Sequence, residues 1–562
     1  MATARRSTSR PSKAGKASKA NRPSKASPTS SHHAGEDLSK RAKQGIVVAI
    51  MLALFLGALD QTIVGTALPR IITELNGANL YTWVVTIYLL ASTVTVPIYG
   101  KLSDMYGRKP LLLAGVGIFL TGSALAGLSQ NIEQLIAFRG LQGLGAGALF
   151  PIALATIGDL FDARERGRYQ GLFGAVFGLS SLVGPALGGF LTDNLSWHWI
   201  FYVNLPIGLL SIAIIARELP TIRGRVQQQI DLLGALTFAA AIIPILIGLT
   251  NVQTSEFASP EVGGLILAGL GILAVFLLVE ERAKDPIIPL ALFRNITFAA
   301  SALATFFASV GFFAAVIFLP RYFQAVLGES ATSSGYATLP LLVGVIFSSV
   351  AAGQVVARTG RYKVLILGAI SVLALGSFLM THLAADTDPW LLRAWMLIAG
   401  LGVGPTLSVF TVVVQNAVAP RYLGSATSNL TFFRQVGGSV GLAIAGSYFG
   451  GQLATTIPAR LSAAVPPQLA GALAGGQGAD LSQLTNVGLN GPALLAQLPA
   501  AVQPLVAPFI DAIVAAIKAG IADAIGAIFW LAVAASGIAF ACALFIREIP
   551  LRRREGGTPA EM

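Results

Sequence analysis

Long apolar runs, separated by short clusters of charge, recur along the chain from Ile46 to Ile546. A hydrocarbon core about 30 Å thick is crossed by roughly 20 apolar residues at 1.5 Å rise per helical residue. Windows of that length predict spans at 46–68, 80–100, 111–129, 132–155, 169–192, 198–216, 231–250 and 262–280. Six more follow at 297–319, 336–357, 364–383, 390–414, 424–449 and 526–546. The pattern predicts an all-α integral membrane protein with fourteen transmembrane helices.

A repeat divides these spans. Gly100, Asp104, Gly107 and Arg108 recur as Gly353, Ala357, Gly360 and Arg361. Gly143-Leu-Gly-Ala-Gly147 returns as Gly400-Leu-Gly-Val-Gly404, and Val183-Gly-Pro-Ala-Leu-Gly-Gly189 as Val440-Gly-Leu-Ala-Ile-Ala-Gly446. The nearly constant offset pairs the first six spans with the last six, a transporter plan with its site where two like halves meet. The expected organisation is a basic tail over 1–45, a six-helix half over 46–216, and a linker with two inserted helices over 217–296. A second half over 297–546 and a basic tail over 547–562 complete it. Within the second half, 450–525 reads as an external stretch, either a loosely folded insertion or a greasy guide for substrate. Residues 502–525 have a helical pattern that extends the last span outward.

Of the 38 Lys and Arg, a cytoplasmic N-terminus leaves only Arg70, Arg321, Arg393, Arg460 and Lys518 outside, with Arg139 and Arg434 inside spans. The positive-inside rule therefore predicts both termini in the cytoplasm of a bacterial inner membrane. The net charge of +12 sits largely in the first 43 residues, which are rich in Ser, Pro, Ala and Lys. Such a tail cannot bury a core, and it suits anionic lipid headgroups better than nucleic acid. It is too polar and too long to read as a signal peptide.

Only 11% of residues are charged and 54% are hydrophobic, against about 25% charged in soluble chains. The single cysteine, Cys542, and four scattered histidines offer neither a disulfide nor a metal cluster. No phosphate-binding loop, Ser-His-Asp or Cys-His arrangement is present, so neither an enzyme nor a cofactor is expected.

Asp60 is the one acid in the interior of a predicted span. An ionised group there costs about 2.5–3.5 kcal/mol on insertion scales and usually serves function. Burial favours the neutral form of a carboxylate, which suits reversible proton loading. The other reading is a structural carboxylate capped by Gln61 and Thr62. Arg139, in the fourth span with Gln142, must pair with backbone carbonyls or with Asp60. The loop Gly100, Asp104, Gly107, Arg108 and Lys109 combines tight turns with opposed charges, as a latch between moving helices would. Gly178, Gly184, Pro185, Gly188 and Gly189 in the fifth span permit close packing, expected between the halves. Gln61, Trp83, Tyr88, Gln142, Phe173, Phe306, Phe433 and Arg434 are candidates for a substrate cavity.

These motifs resemble the major facilitator superfamily, and in particular its fourteen-span drug:proton antiporters of the EmrB/QacA type. GKLSDMYGRK is similar to the signature loop between spans two and three, and LDQTIVGTALP to the first-span motif. RGLQGLGAG resembles the fourth-span motif, and GLSSLVGPALGG the fifth-span antiporter motif. The resemblance implies a major-facilitator fold, a coupling role for Asp60 and Arg139, and exchange rather than symport. The chain departs from it in Trp197-His198-Trp199, where Trp-Arg-Trp is usual, in Ala357, and in the long 450–525 stretch.

The expected function is proton-coupled antiport that exports hydrophobic or cationic small molecules, by a monomer. An exporter of a lipid or endogenous hydrophobic metabolite is the rival. A non-transporting membrane sensor or scaffold is the alternative of another class.

Overall fold

A computed structural model describes residues 39–75, 80–221, 229–252, 255–466, 491–497 and 503–551. Most of the basic N-terminal tail, the last residues of the C-terminal tail and part of the 450–525 stretch lie outside the described residues.

The long helices number fourteen among the described residues. The first half comprises α1 (Lys40–Glu74), α2 (Tyr81–Tyr106), α3 (Arg108–Ala126), α4 (Ile132–Leu160), α5 (Ala163–Asn194) and α6 (Asn204–Glu218). The inserted pair is α7 (Leu232–Asn251) and α8 (Leu265–Arg282). The second half comprises α9 (Ile296–Ala325), α10 (Leu339–Thr359), α11 (Lys363–Met380), α12 (Pro389–Ala417), α13 (Leu423–Ala464) and α14 (Ile510–Leu544). Ends are set by local chemistry. Asn131, Asn295 and Asp388 accept backbone N–H groups at the starts of α4, α9 and α12. Gly107 and Gly360, equivalent in the repeat, take φ of 94° and 71°, where a Cβ would be strained.

Among the described residues, thirteen helices are long and apolar enough to cross a membrane. The fourteenth predicted span, α13, falls short on hydropathy because its membrane stretch is rich in Gly, Ser and Thr. Small residues let it lie close to its neighbours: a Cβ on Gly437 would stand 2.2 Å from the Phe306 carbonyl of α9. Its 42 residues span about 63 Å, twice the hydrocarbon thickness.

In the first half α4 packs on α2 and α3, and α1 on α5 and α6; in the second, α12 packs on α10 and α11, and α14 on α9, α11 and α13. The halves meet along α5 with α10 and α2 with α13. The inserted α7 touches both halves through α2 and α13, with the Phe238 ring packed at a tilt 5.3 Å from that of Phe432.

Within the 450–525 stretch, residues 467–490 and 498–502 lie outside the described residues, and most of the rest is helical rather than loosely folded. Both α13 and α14 continue past the bilayer thickness and pack on each other. Ile457, Leu461, Ile513, Ile517 and Ile521 are buried between them. Arg460 and Asp523 pair at 2.6 Å. The described part of this stretch is a helical stalk, because its apolar residues recur at helical spacing.

Candidate functional site

Asp60 is fully buried on α1. Its Oδ2 accepts from Arg139 Nη1 at 2.5 Å, and its Oδ1 from Gln142 Nε2 at 2.8 Å and Asn204 Nδ2 at 3.4 Å. Arg139 also donates to Gln142 Oε1 at 2.8 Å and to the Val84 carbonyl at 3.4 Å. The Tyr88 ring lies 4.2 Å beneath the guanidinium. Asn204 donates to Ser123 Oγ at 3.1 Å, and Ser123 to the Phe201 carbonyl at 2.8 Å. Five helices of one half thus close around a single ion pair. Glycines make this possible: a Cβ on Gly122 of α3 would stand 2.6 Å from Gln142 Cα. The alternative partners of Asp60 are corrected: Gln61 is exposed, and Thr62 donates to the Leu59 and Ser180 carbonyls at 3.0 and 3.1 Å. Asn204 was not anticipated, since an amide at a span start carries no periodic signal.

Residues 100–109, expected as a loop, are the end of α2, the break at Gly107 and the start of α3, and they form the second centre. Tyr422, at the N-cap of α13, gives it no side-chain cap. Asp104 of the other half takes that place, accepting from Gly424 N at 2.9 Å, Ser425 N at 2.8 Å and Ser425 Oγ at 2.9 Å. A carboxylate here also meets the positive end of the helix dipole. Arg108 holds the acid from behind, 2.6 Å from Asp104 and 2.7 Å from Asp159. Gly100 allows the approach, because a Cβ there would stand 1.9 Å from Ser428 Oγ. Lys109 takes no part in this contact, which corrects its place in the latch: its Nζ donates to the Ala216 carbonyl at the end of α6. Lys363 makes the same bond to the Leu544 carbonyl at the end of α14.

The repeat is repeated in space. Gly353, the counterpart of Gly100, presses on the Gly167 carbonyl of α5, with 2.0 Å left for a Cβ. Gly171, Gly174 and Gly178 continue the seam against Ser349, Val350 and Ile346. Between the two seams Gln170 donates to Gln415 Oε1 at 2.9 Å, and Gln415 donates across the halves to the Leu154 carbonyl at 3.1 Å. Gly158 leaves the room for that amide. The halves are shut at the 100–109 end.

The fifth-span motif needs a correction. Gly184 and Gly188 face Thr62 and Ile63 of α1, inside their own half, and Gly189 has open space. Of that motif, Gly178 faces Ile346 of α10, and Pro185 lies near Gly335. The aromatic cavity candidates are dispersed. Tyr88 is buried under Arg139; Phe173 packs on Phe150 and Phe177 at 5.7 and 5.6 Å. Phe306 packs on Phe307, and Phe433 on Phe293 and Phe432. Trp83 is half-buried at the start of α2. Grooves of about 370 and 520 Å³ lie along the flanks of α5 and α10, lined by residues such as Phe190, Tyr336 and Phe347 and by none of these candidates.

The profile described as Major Facilitator Superfamily matches residues 50–442. The chain belongs to the major facilitator superfamily. It is 36% identical over 534 residues to the multidrug transporter protein MdtP of Bacillus subtilis, covering 92% of this chain and 96% of that one. It is 38% identical over 403 residues to multidrug resistance protein 3 of the same organism, covering 72% and 78%. The proton:xylose symporter XylE shares the fold, with a TM-score of 0.54 at 15% identity over 90% of this chain and 95% of that one.

Within this major-facilitator chain, His198 replaces the resemblance's arginine. Its ring stacks 3.7 Å from that of Trp197, whose Nε1 donates to Glu74 Oε2 at 2.8 Å. Burial pushes the imidazole below its ordinary value of 6.5, against the opposing pull of Glu74 and the Ser129 backbone. The folded protein therefore favours neutral His198, and the unfolded chain takes up the proton first. Stability present above pH 6.5 is lost as pH falls from there toward the lowered folded value. Melting in detergent between about pH 7.5 and 5.5 is expected to fall more steeply for the wild type than for His198→Gln. Parallel curves would refute the assignment.

Proposed function

We propose that the protein is a proton-coupled antiporter that exports hydrophobic or cationic small molecules. The observation that carries this reading is the sealed Asp60–Arg139–Gln142 network. An ionised carboxylate accepts all three of its bonds; a protonated one loses its hold on Arg139. A buried guanidinium deprived of its anion costs about 3–5 kcal/mol, so proton binding must be answered by a shift in the helices that carry the pair. The latch supplies the element that such a shift would open or close. The bias of Lys and Arg supports the 100–109 end, and both termini, lying in the cytoplasm of a bacterial inner membrane. The names of the two Bacillus relatives support a drug-like cargo.

The test is the purified chain in liposomes under an imposed proton gradient, with ethidium as cargo. Ethidium movement that follows the gradient, together with proton counterflow, is expected. Folded protein that moves ethidium without regard to the gradient would sink the antiport reading. Export of a lipid or endogenous hydrophobic metabolite is favoured by one observation, the apolar stalk of α13 and α14. Shortening the stalk would then abolish lipid export and leave ethidium movement intact.

A further inference from the structure

Two guanidiniums within the spans, Arg139 and Arg434, are treated differently. Arg139 is matched by a carboxylate, an amide, a carbonyl and a ring. Arg434 of α13 is buried in the other half, yet its one hydrogen bond is from Nη2 to the Leu407 carbonyl at 3.4 Å. Even that carbonyl is shared, since Thr411 Oγ1 donates to it at 3.3 Å. No carboxylate among the described residues pairs with Arg434. Its Nε and Nη1 are neither bonded nor sealed away: the residue keeps 9% of its surface where Arg139 keeps 1%. One turn along α13 from Arg434, Gly437 lies against the Phe306 carbonyl of α9, and Thr305, next to Phe306 in the chain, has a buried hydroxyl without a partner.

A charge at membrane depth without an opposite charge is costly, and such residues mark the path of a substrate. A guanidinium presents a planar fork of donors that fits an oxyanion, whether carboxylate, phosphate or sulfonate. We propose that Arg434 is an oxyanion-binding site in the second half, which takes amphiphiles bearing an acidic group. The proposal rests on the transporter reading and widens its cargo beyond neutral and cationic molecules. The two halves then divide the work: the proton site sits in the first, and the charged end of an acidic cargo is held in the second.

The test uses the full chain in phosphatidylcholine vesicles under a proton gradient, with ethidium and anilinonaphthalene sulfonate as separate cargoes. The wild type is expected to move both. Arg434→Gln should slow the sulfonate about tenfold and ethidium less than about twofold, with Arg434→Lys between them. Arg434→Lys keeps the comparison open if the glutamine variant does not fold. Equal loss of both cargoes would make Arg434 a packing residue and overturn the proposal. Wild-type movement of ethidium without the sulfonate would overturn it too, leaving the antiport reading intact. Folded wild type that moves neither cargo would end both readings. Adding phosphatidylglycerol separates the sources: competition in the wild type but not in Arg434→Gln assigns the site to a lipid headgroup. Its absence assigns the site to free acids.

Discussion

Asp60→Asn is expected to abolish gradient-driven ethidium movement, by about a hundredfold or more. Asparagine keeps an acceptor for Gln142 or Arg139 but cannot take up a proton. It also strands Arg139, which is 1% exposed. Removing one partner of a buried pair costs about 3–5 kcal/mol, so the melting temperature should drop as well. The two losses can be separated. Arg139→Gln added to Asp60→Asn removes the stranded charge, and stability should recover while transport does not. Proton-driven transport at the wild-type rate in Asp60→Asn would end the assignment of Asp60 as the coupling acid.

Asp104→Ala should open the 100–109 end. The alanine removes three hydrogen bonds to the start of α13 and the pair with Arg108. Bonds to a charged group contribute about 1.5–3 kcal/mol each, and the dipole up to about 2, partly offset by water that enters when the halves part. A net loss of about 3 kcal/mol shifts the balance of states roughly a hundredfold. A reporter cysteine at Ser428, which packs on Gly100, reads this out once Cys542 is changed to serine. Maleimide labelling at 428 should quicken in Asp104→Ala, and transport should fall. Unchanged labelling would show that the contact does not hold the halves together. Ala357→Ser should change little, because no acid stands there to be lost.

How much of this was legible depended on contrast. Asp60 and Arg139 stand out because a charge in an apolar run has few innocent explanations; that Arg139 pairs with Asp60, one of the two partners the sequence allows it, is a finding of the structure. The fourteen helices and their grouping followed from hydropathy and repeat. The glutamine contact was not legible: Gln170 and Gln415 are ordinary amides near span ends, and their meeting depends on how two halves dock. The close seam of Gly167, Gly171 and Gly174 was overlooked for the same reason, while Gly184 and Gly188 were assigned to the wrong neighbour. Small residues announce close packing but not what they pack against. Lys109 shows the reverse, a cation grouped with its sequence neighbours that serves the end of a different helix.

The same rod that is held by Asp104 at one end, α13, is fastened to α14 at the other through Arg460 and Asp523. Its length makes it a handle, projecting from the face of the membrane opposite the latch. A binder that grips this handle and never enters the bilayer holds one half of the machine by its lever arm. Such a ligand could arrest the cycle from a surface that the cargo does not touch, and resistance mutations in the cargo path would not relieve it.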